Sequence, residues 1–164
     1  APMDRVSKEN YYLDIAEIVS ERSTCLRRRF GSIIVKNDSI VATGYNGAPR
    51  GRKNCSDLAS CKREEMNIPR GERYELCRSV PSEANAIIAA PRTEMLGATL
   101  YMCCTSPRDG SVMPDTSNCM MCKRMIINAG IEWVVIRDTK DTYRKIAVSN
   151  WLENDDSLGT ALGY

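Results

Sequence analysis

Val80-Pro81-Ser82-Glu83-Ala84-Asn85-Ala86-Ile87, taken together with Cys119-Met120-Met121-Cys122, decides how this chain is read. Proline suits the first position of a helix, where its fixed φ and missing N–H cost nothing. Ala84, Ile87, Ile88 and Ala89 then continue a short apolar helix, so Glu83 sits in its first turn. Cys119 and Cys122 lie at i and i+3 on one face of a second helix, Cys119 to Asn128, which Gly130 ends. Each helix start carries the positive end of a helix dipole, one beside a carboxylate and the other beside two thiols. Paired thiolates are zinc ligands, and a carboxylate at their side is a proton carrier. The chain has no histidine, so no imidazole completes such a site.

Outward from these helices, Tyr12, Ile15, Ala16 and Val19 recur at helical spacing, which predicts a first helix from Val6 to Glu21 with Ser7 as a candidate N-cap. Phe30 to Lys36 and Ile40 to Tyr45 are β-rich runs joined by Asn37-Asp38-Ser39, the pattern of a short hairpin. From Asn46 to Val80 no period is sustained, and a stretch of that length is expected to be functional or stapled by metal. Ala98 to Cys104 reads as a strand, Thr105 to Asn118 as a loop, Ile131 to Ile136 as a strand and Thr142 to Leu152 as a last helix. The order α-β-β-α-β-α-β-α predicts an α/β fold, a mixed sheet with helices on its faces.

The 164 residues fit one domain, read as 3–164, with Ala1-Pro2 taken as an appended dipeptide ahead of Met3 and 154–164 as a flexible tail. Apolar content of 43% supplies a core without help from disulfide or metal. Twenty-three basic against twenty-one acidic residues leave a net charge of +2, which excludes a general nucleic-acid coat; Arg27-Arg28-Arg29 is the one basic cluster. With no apolar leader and no run near the ~20 residues that span a bilayer, no membrane partner is expected, and the eight cysteines read as reduced thiols in a cytoplasmic protein.

Ser23-Thr24-Cys25-Leu26-Arg27-Arg28, Gly44-Tyr45-Asn46-Gly47-Ala48-Pro49, Glu75-Leu76-Cys77-Arg78, Glu83-Ala84-Asn85-Ala86-Ile87 and the run from Cys122 to Ile131 together resemble the deoxycytidylate (dCMP) deaminase family of the cytidine-deaminase-like superfamily. The resemblance extends from Arg5 to Ile136. It implies a three-layer α/β/α fold with a mixed central sheet, and zinc-dependent hydrolytic deamination of a pyrimidine deoxynucleotide, dCMP to dUMP plus ammonia. It also implies a small-molecule nucleotide as substrate, a nucleotide triphosphate as effector, and a homo-oligomer, often a hexamer. Glu83 maps to the family's catalytic glutamate, Cys119 and Cys122 to two of its Zn2+ ligands, and Gly44 to Gly47 to its nucleotide contacts. Family members with a second, structural zinc imply a role for Cys25 and Cys55. Within the glycine-flanked turn, Asn46 is placed to reach a sugar hydroxyl, and Ser82 to bond the base or cap its helix. The glycine-flanked motif and the absence of a broad basic surface point to a free nucleotide rather than nucleic acid as substrate.

The superfamily signature is H-x-E followed by P-C-x-x-C. Here Pro81 stands at the histidine, Ser82 at the usual alanine, and Asn118 at the proline before the first thiol. Asparagine still starts a helix well. Proline has no donor atom for a metal. Three readings stay open. Cys103 or Cys104 completes the site, only one of the two being able to face it because successive strand residues point to opposite sides. A third thiolate would add negative charge and make zinc a poorer Lewis acid. In the second reading the chain is a catalytically silent nucleotide-binding or regulatory homologue that has lost the metal. In the third it is an engineered active-site variant. Two further choices stay open: Cys25, Cys55, Cys61 and Cys77 as thiols or as a four-thiolate site, and the arginine cluster as a phosphate or effector contact or as a solvated charge run.

Overall fold

A computed structural model describes residues 5–68, 77 and 79–153. The readings of the first two residues and of the tail fall outside them. The element order is α1 (Lys8–Ser20), β1 (Arg29–Lys36), β2 (Ser39–Tyr45), the short helices α2 (Cys55–Leu58) and α3 (Lys62–Glu65), α4 (Ser82–Ala89), the single turn α5 (Arg92–Met95), β3 (Thr99–Thr105), α6 (Met120–Ala129), β4 (Trp133–Arg137), β5 (Tyr143–Ala147) and α7 (Ser149–Glu153).

Five strands form one sheet in the order β2-β1-β3-β4-β5, with β3 and β4 parallel and the other pairs antiparallel. Asn37 (φ 52°) and Asp38 (φ 60°) both take positive φ in the β1–β2 connection, the turn geometry that matches strand twist and that asparagine and aspartate tolerate. Strand alternation divides the core in two. On one face α1 packs Tyr12 and Leu13 against Ile33, Val35, Tyr101 and Val135. On the other, α4 and α6 bring Ala86 and Ile126 onto Phe30, Ile34, Leu100, Cys104, Val134 and Ile136. This is the three-layer α/β/α arrangement.

Two sheet glycines set how close the helices come. A Cβ at Gly31 would collide with the backbone of Ala16 and Ser20 in α1, and one at Gly44 with the backbone of Ser82 and Ala86 in α4. Gly44 therefore seats the helix that carries Glu83, a packing role that its place in a nucleotide-contact motif does not suggest.

The helix expected over Thr142 to Leu152 is corrected. Tyr143–Ala147 is an edge strand, with Val134 opposite Ile146 and Trp133 opposite Ala147, and only Ser149–Glu153 is helical. Backbone pairing with β4 and the inward packing of Ile146 override a sequence that also suits a helix. Among the described residues no helix is long and apolar enough to cross a membrane.

Candidate active site

Pro81 (φ −59°, ψ 150°) is the N-cap of α4, one position before the expected one, and Glu83 lies in the first turn with 0% exposure. Asn85, in the same turn, donates from Nδ2 to the Tyr45 carbonyl at 2.8 Å and to the Val80 carbonyl at 3.4 Å. Gly47 and Val80 form an antiparallel bridge. The Gly44–Gly47 turn and the start of α4 are thus tied by backbone and side chain.

The Glu83 carboxylate is held by neutral donors. Ser82 Oγ donates to Oε1 at 2.9 Å, and Asn118 Nδ2 to Oε2 at 2.9 Å. Ser82 has a single hydroxyl hydrogen, so the 2.8 Å contact between Ser32 Oγ and Ser82 Oγ has Ser32 as donor, and the chain runs Ser32 to Ser82 to Glu83. Both hydroxyls are buried, and the Ser82 hydrogen is already spent on the carboxylate. The Asn118 amide also rests on Met102 Sδ of β3 at 3.6 Å.

Cys119 caps α6, its Sγ accepting from the Cys122 backbone N–H at 3.4 Å. Both thiols are buried, with exposures of 2% and 0%. Since Asn118 precedes Cys119 and contacts Glu83, the starts of α4 and α6 meet, as the sequence requires.

Of the two further thiols, Cys103 faces α1. Burial and then the carboxylate of Glu17 push its thiol up to about 12. Cys104 packs in the core shared with α4 and α6, its thiol 3.8 Å from Met113 Sδ. The donor set fits zinc in two positions and fails in the third. Cys119 and Cys122 offer two soft thiol donors on one helix turn, whereas catalytic zinc takes three protein ligands and Pro81 offers none. Among the described residues no three of His, Cys, Asp and Glu form a group that could hold a metal.

Elsewhere, burial holds the Cys77 thiol above its ordinary range, the Ser79 backbone offsets part of this, and Cys25, Cys55 and Cys61 add to it, which puts those three thiols within electrostatic reach of Cys77. All eight cysteines are outside disulfides. Asn46 is engaged inside the fold: its Oδ1 accepts from Ser23 Oγ at 2.5 Å and from Phe30 N at 2.8 Å, and its Nδ2 donates to the Arg28 carbonyl at 2.9 Å. Arg27 pairs with Glu64 at 3.1 Å. Asn118 is the contact to Glu83 that sequence reasoning missed. The signal was an asparagine where the signature has proline, read only as a helix cap.

The family model described as the cytidine and deoxycytidylate deaminase zinc-binding region matches residues 6–137. Deoxycytidylate deaminase of Schizosaccharomyces pombe is 33% identical over 131 residues, which cover 80% of this chain and 37% of that protein. The Saccharomyces cerevisiae deoxycytidylate deaminase is 34% identical, and the chain spans 39% of its length. The chain therefore covers well under half of either yeast relative. The deoxycytidylate deaminase of Mycobacterium phage D29 is 34% identical over 138 residues, covering 81% of this chain and 96% of that one. Among solved structures, the dCMP deaminase of cyanophage S-TIM5 in apo form aligns over 98% of both chains with 26% identity and a TM-score of 0.58. The same enzyme in complex with dCMP and dUMP gives 25% identity, a TM-score of 0.54 and coverage of 95% and 96%.

Proposed function

The chain belongs to the cytidine and deoxycytidylate deaminase family, and from that premise we propose that it binds dCMP and hydrolyses it to dUMP and ammonia. The observation that carries the reading is Glu83: a fully buried carboxylate at the start of α4, contacted by the residue that leads into the two thiols of α6. The relative solved with dCMP and dUMP, aligned over nearly its whole length, supports the nucleotide class.

In the reaction water adds across the C=N bond of the amino-bearing ring carbon, its hydroxyl to carbon and its proton to the ring nitrogen, and the amino nitrogen leaves as ammonia with the hydroxyl's proton as the carbonyl forms. Glu83 is the group that carries these protons in turn, a role worth about 10²- to 10⁴-fold in rate. Ser82 and Asn118 fix its two oxygens, so the carboxylate keeps one orientation through the transfer. Cys119 and Cys122 are the residues that would hold zinc, which when bound supplies an acidified water. If a third thiol joins them, Cys104 is on the correct face of the sheet and Cys103 is on the opposite one. A second, structural zinc at Cys25 and Cys55 rests on family likeness, since among the described residues these thiols form no metal-holding group with Cys61 and Cys77. Asn46 acts through the turn it braces, and the arginine cluster stays open between phosphate contact and charge run, with Arg27 already paired to Glu64. The homo-oligomer and the triphosphate effector rest on family likeness.

A second reading, a catalytically silent nucleotide-binding homologue, is favoured by Pro81 and the two-ligand donor set. One preparation separates the two. Zinc per chain is measured beside dCMP turnover, followed by ultraviolet absorbance. The enzyme reading predicts turnover that disappears in Glu83→Ala. Nucleotide binding without zinc or turnover selects the silent homologue.

A further inference from the structure

Asn118 is 1% exposed, yet only one end of its amide is used. Nδ2 donates to Glu83 Oε2 at 2.9 Å, and this fixes which way the amide faces, because a carboxylate accepts and only the nitrogen can donate to it. Oδ1 is left buried without a hydrogen-bond partner among the described residues. A carbonyl left so is unfavourable and calls for an explanation; of the buried polar atoms without a described partner, this one lies against the Glu83 carboxylate, where an arriving donor would satisfy it. What arrives carries a hydrogen, and it arrives beside Glu83, since the amide spans a single carbon between its two polar atoms.

We propose that Asn118 is the specificity-determining residue of the nucleotide site, its Oδ1 and the remaining lone pairs of Glu83 forming an acceptor pair that takes the two hydrogens of a pyrimidine's exocyclic amino group. This rests on the nucleotide reading above. A carboxylate has about four lone-pair sites, and here the described hydrogen bonds occupy one on each oxygen. The amino group of cytosine presents two N–H donors on one nitrogen, whereas a 4-oxo pyrimidine presents an acceptor at the same place. Set against Oδ1 and Glu83, that oxygen meets only acceptors, and the single ring N–H beside it satisfies one of the two. The arrangement favours the aminated substrate over the deaminated product. The family signature has no counterpart to this side chain, because it places proline at the position.

The test is the ratio of dCMP to dUMP affinity, read by rapid-mixing displacement of a fluorescent deoxynucleotide monophosphate from the protein as isolated, before turnover intervenes. A merely structural role would weaken both nucleotides together and leave the ratio alone. The wild type is expected to prefer dCMP by about tenfold or more, and both Asn118→Ala and the near-isosteric Asn118→Leu to bring the ratio within about twofold of one. Using two variants guards against one that folds poorly, and a ratio is insensitive to the folded fraction. A wild-type ratio near one, or a preference that survives both variants, overturns the role of Asn118 alone. A wild type that binds neither nucleotide overturns the functional reading and this assignment with it.

Discussion

Glu83 and Arg137 are both charged side chains with no exposure, and they sit on opposite faces of the same sheet. Arg137, at the end of β4, is surrounded by what a structural cation needs. Its Nη1 donates to Asp14 at 2.7 Å and to Glu17 at 3.5 Å, its Nη2 donates to the Asn10 carbonyl and side chain, and Lys140 closes the group on Glu17 at 2.7 Å. Glu83 is held by a hydroxyl and an amide, and its amide partner keeps an unused carbonyl. Arg137 also leaves its Nε without a hydrogen-bond partner among the described residues, so the difference lies in charge: its countercharges are beside it, and removing one partner of such a pair is costly. A buried carboxylate positioned only by neutral dipoles, with spare acceptor capacity around it, is arranged for something that comes and goes. The proposed function makes the α1 face the scaffold and the α4–α6 face the working surface.

The sharpest way to break the contrast is Glu83→Gln. The account predicts that dCMP turnover falls by about a hundredfold to ten-thousandfold, the span of general acid–base effects. The urea midpoint should hold or rise, since the amide oxygen keeps the Ser82 donor, the amide nitrogen can donate to Asn118 Oδ1 once that side chain flips, and the buried charge is gone. Retained turnover, or a collapse in stability, would put Glu83 with the scaffold.

Arg137→Met should do the reverse. Removing one partner of a buried pair costs about 3 kcal/mol, the lower end of the usual range because Asp14 is half exposed. Denaturant unfolding reads that loss, and dCMP affinity per folded molecule should be unchanged.

The two glycines sharpen the division further. Gly31→Ala and Gly44→Ala each force helix backbone off the sheet, and overpacking of this kind costs about 1–3 kcal/mol. Only Gly44→Ala should also lower turnover per folded molecule, because only it displaces the helix that bears Glu83. Equal effects on turnover would mean that the faces are not independent.

The smallest effect concerns the hairpin end of the α1 face. The Tyr12 hydroxyl at 2.5 Å, and then Lys8, hold the Asp38 carboxyl below its ordinary range. A group with a depressed folded-state value contributes stability above its unfolded value of about 4, and that contribution is lost as pH falls through the folded value. Asp38→Asn should therefore flatten the acid side of the stability profile and leave the neutral side and dCMP turnover per folded molecule unchanged. An unaltered acid limb would remove Asp38 from the scaffold.

Much of this contrast was legible in the sequence for a physical reason. Helix starts are local events, so Pro81 and the apolar run behind it placed Glu83, and the i, i+3 cysteines before Gly130 placed the second helix. The β1–β2 hairpin was equally local. The edge strand Tyr143–Ala147 was not, because its identity comes from pairing with β4 rather than from its own residues. Asn118 was read as a cap, and its contact with a carboxylate 35 residues away exists only once α4 and α6 share a face. Asn46 was read for ligand, while its described hydrogen bonds join Ser23, Arg28 and Phe30 and brace the strand beside the site. Gly44 was read through its motif, and the structure adds the close approach of α4.

The central claim is that the α4–α6 face is a deaminase site with a ligand missing at position 81. Pro81→His tests it most directly, with zinc per chain and ammonia release from dCMP measured side by side with the wild type. The account predicts that both rise together, as an imidazole joins Cys119 and Cys122. Zinc content and ammonia release that stay at wild-type values would contradict it.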